Sequence, residues 1–346
     1  MGRLDRTCVD SDQGVSQLLL LNEQTIRGLY KMEECILDVE KAFRYGTEGK
    51  TVAPIRMSIP HKKVGAETLY MPSYIEPENF TSVKVVSIFP NNAHVGRKVL
   101  QGIILLTDAV NGEHVAIMDA SYLTVLRTGA SSGVATKHLA RKESKVCAVL
   151  GCGAQSLGQI QAVMAVRNLE HIILYNRTIE KTDVLKEKLH ELYPQWNGII
   201  TIQQDANRAV QEADIVICSS KSPTPLFDGN VLKTGTHING IGSYQPHMQE
   251  VDLNTLYKCD KVVVDTMEGC LHEAGDFIVP MKEGKWSTDS IYGEIGDIVC
   301  GQKDGRTNQK EITFYKSVGI SYLDTMVAQS VYKKALKAGV GEIINI

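Results

Sequence analysis

The sequence predicts an α/β protein of two domains, one built on a parallel sheet and the other on a mostly antiparallel sheet. Short apolar runs alternate with helical stretches through the central third of the chain, which is typical of a parallel sheet covered by helices on both faces. The preceding residues, 15–140, instead combine one helix with segments of alternating polarity, which favours antiparallel strands. A glycine-rich turn, GCG, joins the first central run to a helix.

The composition is that of an ordinary globular protein and restricts the class of partner. Hydrophobic residues make up 43% of the chain and charged residues 22%, and the formal net charge is −3. Because there are no basic runs, nucleic acid is not expected as a partner. The four leucines at 18–21 are too few for a secretion signal or a membrane span. We therefore expect a cytoplasmic protein with no membrane partner.

The first domain is predicted to contain a helix followed by strands. A helix is expected over 31–48, and the segments TSVKVVSIFP and GIILLTDAVNGEHVAIMDA are expected to form strands. The pair Asn111-Gly112 is a strong signal for a hairpin turn. The stretch DASYLTVLRTGASSGVATKHLAR then predicts one long helix that carries the chain into the central domain.

The central domain is predicted from its alternation of strands and helices. The expected strands are 145–150, 171–175, 199–203, 214–218, 236–241 and 261–265, with helices over 154–169 and 179–192. The helical segment SVGISYLDTMVAQSVYKKALKAG follows, and we expect it to pack back on the first domain. The predicted division is therefore 1–138 with 320–346 for one domain and 139–319 for the other.

The segment KVCAVLGCGAQSLGQIQAVMAV has the strand, turn and helix order of a dinucleotide-binding site. Gly151 permits the tight turn, and Gly153 lets the backbone approach a pyrophosphate. A helix beginning near Ala154 and Gln155 aims its free N–H groups at that anion. Ser156 stands at the third position of the fingerprint, where its small size permits close packing. The central domain is therefore predicted to be a Rossmann domain.

The end of the second central strand bears on the choice of coenzyme. An acidic residue there would bind the ribose hydroxyls of NAD(H), but this chain has Asn176-Arg177-Thr178. A guanidinium, an amide and a hydroxyl can all donate hydrogen bonds to a 2′-phosphate. The sequence therefore predicts NADP(H) in preference to NAD(H). The alternative is that Arg177 is a solvated surface arginine.

Three long cationic side chains lie in apolar segments of the first domain. They are Arg56 in VAPIRMSIP, Lys84 in TSVKVVSIFP and Arg127 in LTVLRTGASSG. Such cations are costly to bury unless they are paired. They can converge on one anion, such as a substrate carboxylate, or each can belong to a structural ion pair, and the residues alone leave both readings open.

Together these segments resemble the ornithine cyclodeaminase/mu-crystallin family, which includes ketimine reductases and an archaeal-type alanine dehydrogenase. The resemblance covers most of the chain and rests on PIRMSIP, YMPSYI, SVKVVSIFPNN, LRTGASSGVATKHLAR, VLGCGAQSLGQ, GIGSYQPHMQEVD and GEIGDIVCGQKDGRTNQKEITFYKSVGISYLD. It implies a homodimer joined through the N-terminal domain, a nucleotide bound by the Rossmann domain, and an active site in the cleft between the domains.

The resemblance also implies roles for individual residues. The residues that match the substrate-binding cations of the family are Arg56, Lys84 and Arg127. Thr128 and Gly129 match the start of a helix beside the cofactor phosphates, and Val318-Gly319 lies near the nicotinamide. The mu-crystallin branch carries a similar Asn-Arg-Thr and is NADPH-linked, which agrees with the charge argument above.

This chain departs from the family at Tyr244. Cyclodeaminases and archaeal-type alanine dehydrogenases carry an Asp at the position that Tyr244 occupies in GSYQPHMQE. A phenol keeps its proton at neutral pH and cannot act as a carboxylate base, although it can hydrogen-bond a substrate. Tyr244 is therefore either a substrate-binding hydroxyl or an aromatic cover for the cleft, and cyclodeamination is disfavoured as the main activity.

The preferred reading is reduction of a cyclic imino acid, Δ1-pyrroline-2-carboxylate or Δ1-piperideine-2-carboxylate, to proline or pipecolate. Arg56 and Arg127 would fix the carboxylate, and Lys84 would orient the substrate and supply a proton if burial and the arginines lower its pKa. The alternatives are ornithine cyclodeaminase, an alanine- or opine-type dehydrogenase, and a cofactor-binding protein with little catalysis. No metal-ligand spacing is present, so no metal is expected.

Overall fold

A computed structural model describes residues 17–345, so the first sixteen residues of the predicted N-terminal domain and Ile346 lie outside the description. The described chain forms two sheets of eight strands each, with helices packed on both. The predicted α/β class is confirmed. Between residues 17 and 345, no helix is long and apolar enough to cross a membrane.

The elements are numbered in chain order. The strands are β1 (Gln17–Leu21), β2 (Thr51–Val52), β3 (Met57–His61), β4 (Ala66–Ile75), β5 (Phe80–Ile88), β6 (Leu100–Asp108), β7 (His114–Asp119), β8 (Val146–Leu150), β9 (His171–Tyr175), β10 (Ile199–Ile202), β11 (Ile215–Cys218), β12 (His237–Gly240), β13 (Lys261–Val264), β14 (Ile291–Glu294), β15 (Thr313–Lys316) and β16 (Glu342–Asn345). The helices are α1 (Glu23–Leu29), α2 (Met32–Thr47), α3 (Ala120–Leu139), α4 (Ser156–Val166), α5 (Glu180–Leu192), α6 (Ala206–Glu212), α7 (Leu253–Lys258), α8 (Met267–Glu273), α9 (Gly275–Lys282), α10 (Ile295–Val299) and α11 (Ser321–Ala338).

The first sheet is mostly antiparallel, as predicted. Its order is β16-β1-β7-β6-β5-β4-β2, with β3 beside β4, and only β1 and β7 pair in parallel. The hairpin predicted at Asn111-Gly112 joins β6 to β7, and Gly112 has the positive φ of 81° that such a turn needs. Side chains of β5 alternate in burial, with Phe80, Ser82 and Lys84 on the inner face. The sheet thus turns one face to the helices and the other outward.

The second sheet has the order β10-β9-β8-β11-β12-β15-β13-β14, and every pair in it is parallel. All six predicted central strands are present. The sequence did not indicate β15, which inserts between β12 and β13. Its four residues include the polar Thr313 and Lys316, both fully buried, and these interrupt the apolar pattern by which buried strands are recognised.

The helix α3 links the two sheets as one continuous element, as predicted. The Asp119 side chain caps it by accepting hydrogen bonds from the Ser121 and Tyr122 amides. Thr128 and Gly129 lie in the middle of α3, so the expectation that they stand at a helix start is wrong. The predicted packing of the C-terminal helix is confirmed, because α11 contacts α2, β4 and β5. The predicted domain boundaries themselves stay a prediction.

Candidate active site

The carboxyl ends of the parallel strands form one edge of the second sheet, and most of the predicted site residues follow those ends. Gly151 follows β8, Asn176 follows β9, Tyr244 lies after β12, and the turn Val318-Gly319 lies after β15. In open α/β sheets, ligands bind in the crevice at this edge. The topology therefore brings these residues to one side of the molecule.

The glycine-rich turn has the geometry of a phosphate loop. Gly151 has a φ of +105°, and a Cβ there would lie 2.9 Å from the Ser219 carbonyl carbon, so the turn requires glycine. A Cβ on Gly153 would meet nothing within 4 Å, which leaves open space beside the backbone. The helix α4 begins at Ser156 rather than near Ala154, and Gln155 precedes it as the N-cap residue. Its free N–H groups point toward the loop.

Asn176 holds the phosphate loop in place, a role that the sequence did not indicate. Its Oδ1 accepts a hydrogen bond from the Cys152 amide at 3.1 Å, and its Nδ2 donates to the Thr178 carbonyl at 2.7 Å. One of its amide donors is therefore already engaged. Arg177 and Thr178 are exposed, and the Arg177 guanidinium makes no ion pair or hydrogen bond within residues 17–345.

Lys84 and Arg127 meet at a carboxylate that sequence reasoning missed. Lys84 Nζ lies 2.7 Å from Asp324 Oδ2, and Arg127 Nε lies 2.9 Å from Asp324 Oδ1. The Lys84 and Asp324 side chains are each only 1% exposed. An acid within the apolar segment SYLDTMVA was the available signal, because a buried acid needs a cationic partner.

Arg56 reaches the same region from the segment before β3. Its Nη2 donates to the Val318 and Gly319 carbonyls at 2.6 and 3.1 Å, and it lies 2.8 Å from Glu273 Oε2. Gly319 has a φ of +91°, and a Cβ on it would lie 2.9 Å from Arg127 Nη1. The Val318-Gly319 turn therefore lies between the two arginines. The predicted cations do come together, and each also has a carboxylate partner.

Asp265, at the end of β13, builds the turn that the arginines contact. Its Oδ2 accepts hydrogen bonds from the Val318 amide at 2.9 Å, the Gly319 amide at 2.7 Å and the Ser317 hydroxyl at 2.8 Å. These bonds direct the carbonyl groups of the turn toward Arg56. Asp265 was not predicted from the sequence, because its role depends on the pairing of β13 with the unpredicted β15.

The profile of the ornithine cyclodeaminase/mu-crystallin family matches residues 17–339. The chain belongs to this family. It is 40% identical over 328 residues to a Delta(1)-pyrroline-2-carboxylate reductase of Bacillus cereus. The aligned residues cover 95% of this chain and 100% of that protein.

Two solved structures of the family have closely similar folds. The Delta(1)-pyrroline-2-carboxylate reductase of Thermococcus litoralis, in complex with NADH and L-proline, has a TM-score of 0.89 at 39% identity and covers 94% of this chain and 99% of its own. An archaeal alanine dehydrogenase dimer with bound NAD has a TM-score of 0.87 at 31% identity. The match covers 95% of this chain and 99% of the dehydrogenase chain. The predicted family resemblance is confirmed.

In this member of the family, Glu250 organises the loop that carries Tyr244. Its carboxylate accepts hydrogen bonds from the Ser220, Gly242 and Ser243 amides at 2.6, 2.7 and 3.1 Å. It thereby ties the loop after β11 to the loop after β12. The half-buried Tyr244 ring packs against the apolar core of the second sheet, and Lys221 Nζ lies 5.8 Å from its centroid. These contacts hold the Tyr244 ring against the second sheet.

The cation cluster consists of Arg56, Lys84 and Arg127, and its surroundings lower the pKa of Lys84. Burial, the largest effect, and the positive charge of Arg127 together lower its pKa to about 7 against the opposing effect of the Asp324 carboxylate. A buried lysine with a pKa near neutrality can exchange a proton at physiological pH. Beside the cluster, a cavity of about 240 Å³ is lined by residues that include Arg56, Glu273 and Gly319. This cavity gives a small molecule access to Arg56.

Proposed function

We propose that this protein is an NAD(P)H-dependent reductase that converts Δ1-pyrroline-2-carboxylate to proline by hydride transfer to the C=N bond. The observation that carries the proposal is the grouping of three cations on the edge that bears the phosphate loop: Arg56 and Arg127 lie at the turn after β15, and Lys84 shares Asp324 with Arg127. The names of the Bacillus cereus and Thermococcus litoralis relatives, at 40% and 39% identity, support the same reaction.

The chain has the features that a nicotinamide dinucleotide requires. A pyrophosphate fits beside Gly151 and Gly153, where a side chain on Gly153 would meet only open space and where the N-terminus of α4 supplies N–H donors. The bound coenzyme would supply the hydride. The exposed Arg177 and Thr178 lie at the end of β9, where the adenosine ribose is expected. We therefore propose NADP(H) in preference to NAD(H), since an unpaired guanidinium suits a 2′-phosphate.

The substrate carboxylate is proposed to bind beside the Val318-Gly319 turn, within reach of both Arg56 and Arg127. All the contacts of Arg56 described above use Nη2, so its remaining N–H groups are available to a ligand. Arg127 approaches Asp324 through Nε, and its Nη1 lies beside Gly319. A small acid held there would place its imine carbon close to the Val318-Gly319 turn, which holds the substrate in one orientation for the reaction.

Lys84 is proposed to supply the proton that the imine nitrogen gains. Reduction of C=N to CH–NH adds one hydride to carbon and one proton to nitrogen. With its pKa lowered to about 7, the ammonium can release a proton near neutral pH and be reprotonated from solvent. Tyr244 is proposed to line the cleft rather than to act as a base, which disfavours deamination of ornithine.

Assays of the purified protein with a panel of substrates test the proposed function. Oxidation of NADPH is followed with Δ1-pyrroline-2-carboxylate, Δ1-piperideine-2-carboxylate, and pyruvate with ammonia, and ammonia release is measured with ornithine. We expect the highest kcat/KM with a cyclic imino acid. Ammonia release from ornithine, or turnover of pyruvate alone, would instead identify the cyclodeaminase or the alanine dehydrogenase activity.

We also propose a homodimer that forms through the outer face of the first sheet. Apolar side chains form a row across four strands on this face: Met57, Tyr70, Val85 and Ile103 are neighbours in register from β3 to β6. Met57 is 64% exposed and Ile103 47% exposed, so the single chain leaves this row uncovered. An apolar face of this kind is typical of a protein interface, and the related archaeal alanine dehydrogenase is a dimer.

A further inference from the structure

Asp324 occupies a position that no other carboxylate of the cluster shares, because it contacts two of the cations at once. It lies in the first turn of α11, where the helix dipole favours a negative charge. Its two oxygens divide between Lys84 and Arg127, at 2.7 and 2.9 Å. Since Lys84 belongs to β5 and Arg127 to α3, this one side chain joins three elements at the site.

Two cations of the cluster share one carboxylate. Lys84 and Arg127 both contact Asp324, whereas Arg56 has Glu273. A substrate carboxylate would therefore give the pair Lys84 and Arg127 a second anionic partner. If Lys84 and Arg127 each had a carboxylate of their own, the pair would attract a substrate anion less strongly.

The geometry of the two contacts leaves hydrogen-bond donors available. Lys84 Nζ and Arg127 Nε each lie at ion-pair distance from one oxygen of Asp324. Asp324 approaches the guanidinium from the Nε side, so its Nη edge remains directed at Gly319. The lysine ammonium has three donors, and one carboxylate oxygen cannot occupy them all.

We propose that Asp324 is a positioning residue of the reductase: its carboxylate holds Lys84 and Arg127 side by side, with the Nη edge of Arg127 facing the Val318-Gly319 turn. This inference rests on the proposed function, because the two cations are there assigned to the substrate. It adds to that proposal a fixed negative charge that never contacts the substrate and acts only through the two cations.

The charge of Asp324 also acts on the protonation of Lys84. Three charged groups act directly on this lysine: Arg127 of α3, Asp324 of α11 and Arg56 before β3. Two further groups contact or interact with those arginines: Glu273 of α8 pairs with Arg56, and the Cys35 thiol of α2 interacts with Arg127. Among them, Asp324 raises the pKa of Lys84, while burial and both arginines lower it. Removing the carboxylate charge therefore lowers that pKa further, and less ammonium remains at neutral pH.

The isosteric variant Asp324→Asn tests this role. A charge at this distance shifts a pKa by about 1 to 3 units. The basic limb of the pH profile, where kcat/KM falls as the pH rises, should therefore move to lower pH by about that amount. At pH values above the wild-type limb, kcat/KM should fall about 10-fold or more, and the loss should shrink as the pH is lowered. A limb that superimposes on that of the wild type overturns the proposal.

Asp214→Asn is a matched control. Asp214 also lies between an arginine and a lysine, with Arg141 Nη2 at 2.7 Å and Lys233 Nζ at 2.9 Å. It accepts hydrogen bonds from the amides at the start of β8, on the sheet edge opposite the proposed site. This variant should lose thermal stability without moving the pH limb. An equal shift in both variants would mean that the effect of Asp324 is only structural, and it would contradict the proposal.

Two further measurements keep the result decisive. If Asp324→Asn does not fold, Asp324→Glu is tested instead, because it retains the charge. It should raise KM and leave the basic limb of the pH profile in place, and a displaced limb overturns the positioning role. Binding of pyrrole-2-carboxylate, a planar acid that is not reduced, is measured by calorimetry across pH. Weaker binding with a shifted pH dependence in Asp324→Asn supports the positioning role, and unchanged binding refutes it. If the wild type reduces no cyclic imine, that result refutes only the proposed function.

Discussion

Replacing Lys84 with methionine separates the two parts that this residue is proposed to play. Methionine fills a similar volume at this position, where Lys84 is only 1% exposed, and it removes the ammonium that is proposed to donate the proton. General acid catalysis contributes about 10²- to 10⁴-fold, and kcat should fall within that range. Loss of one charge-assisted contact, about 1.5 to 3 kcal/mol, should raise KM by roughly 10- to 150-fold.

The pH dependence gives the direction of the effect. Because the pKa of Lys84 is lowered to about 7, the ammonium needed for reduction is present below that pH and is lost above it. Reduction by wild type should therefore decline as the pH rises through about 7, and the reverse oxidation of proline should increase over the same range. Both limbs should be absent from Lys84→Met.

Steady-state kinetics with Δ1-pyrroline-2-carboxylate and NADPH between pH 5 and 10 measure these quantities. Lys261→Met is a matched control, since Lys261 is also buried and lies 3.2 Å from Glu311, at the opposite edge of the second sheet. It should leave kcat and the limb unchanged. A Lys84→Met enzyme that keeps the wild-type kcat and limb, with only KM raised, would refute proton donation and leave Lys84 as a binding residue.

Three further variants test the coenzyme site and the interface. Arg177→Ala should raise KM for NADPH about 10-fold or more and leave KM for NADH unchanged, whereas Arg208→Ala, at another exposed arginine, should alter neither; an unchanged NADPH preference would remove the argument from charge. Gly151→Ala places a Cβ 2.9 Å from Ser219 at a φ of +105°, so coenzyme binding measured by fluorescence should weaken at least 10-fold, and wild-type affinity would contradict the assigned loop. Val85→Glu should convert the dimer to a monomer in sedimentation experiments with little change in melting temperature, and a dimer that persists would exclude the outer face as the interface.

The sequence predicted the three cations of the proposed site but not the acids that hold them. Arg56, Lys84 and Arg127 were recognisable because a long cation in an apolar segment is unusual. Their partners Asp324 and Glu273 come from helices 240 and 217 residues along the chain from Lys84 and Arg56, respectively. No local pattern encodes such a contact, because it depends on how α8 and α11 pack against the first sheet.

The same limit explains the differences in the fold. The six apolar runs of the central domain were sufficient to predict their strands, since strand periodicity is local. The strand β15 escaped prediction because Lys316 is buried only by virtue of its ion pair with Asp276, at 2.8 Å. The placement of Thr128 and Gly129 at a helix start was wrong because the helix already begins at Ala120.

The contact between α3 and α4 fixes the spacing of the two halves of the site. A Cβ on Gly129 would lie only 2.3 Å from the Gly158 carbonyl oxygen, so the two helices touch backbone to backbone. Arg127 precedes this contact on α3 by two residues, and the phosphate loop leads directly into α4. In the proposed reductase, this crossing of main chains sets the separation between the acid and the coenzyme. Changes in the pocket walls can then alter which acid binds without altering that separation.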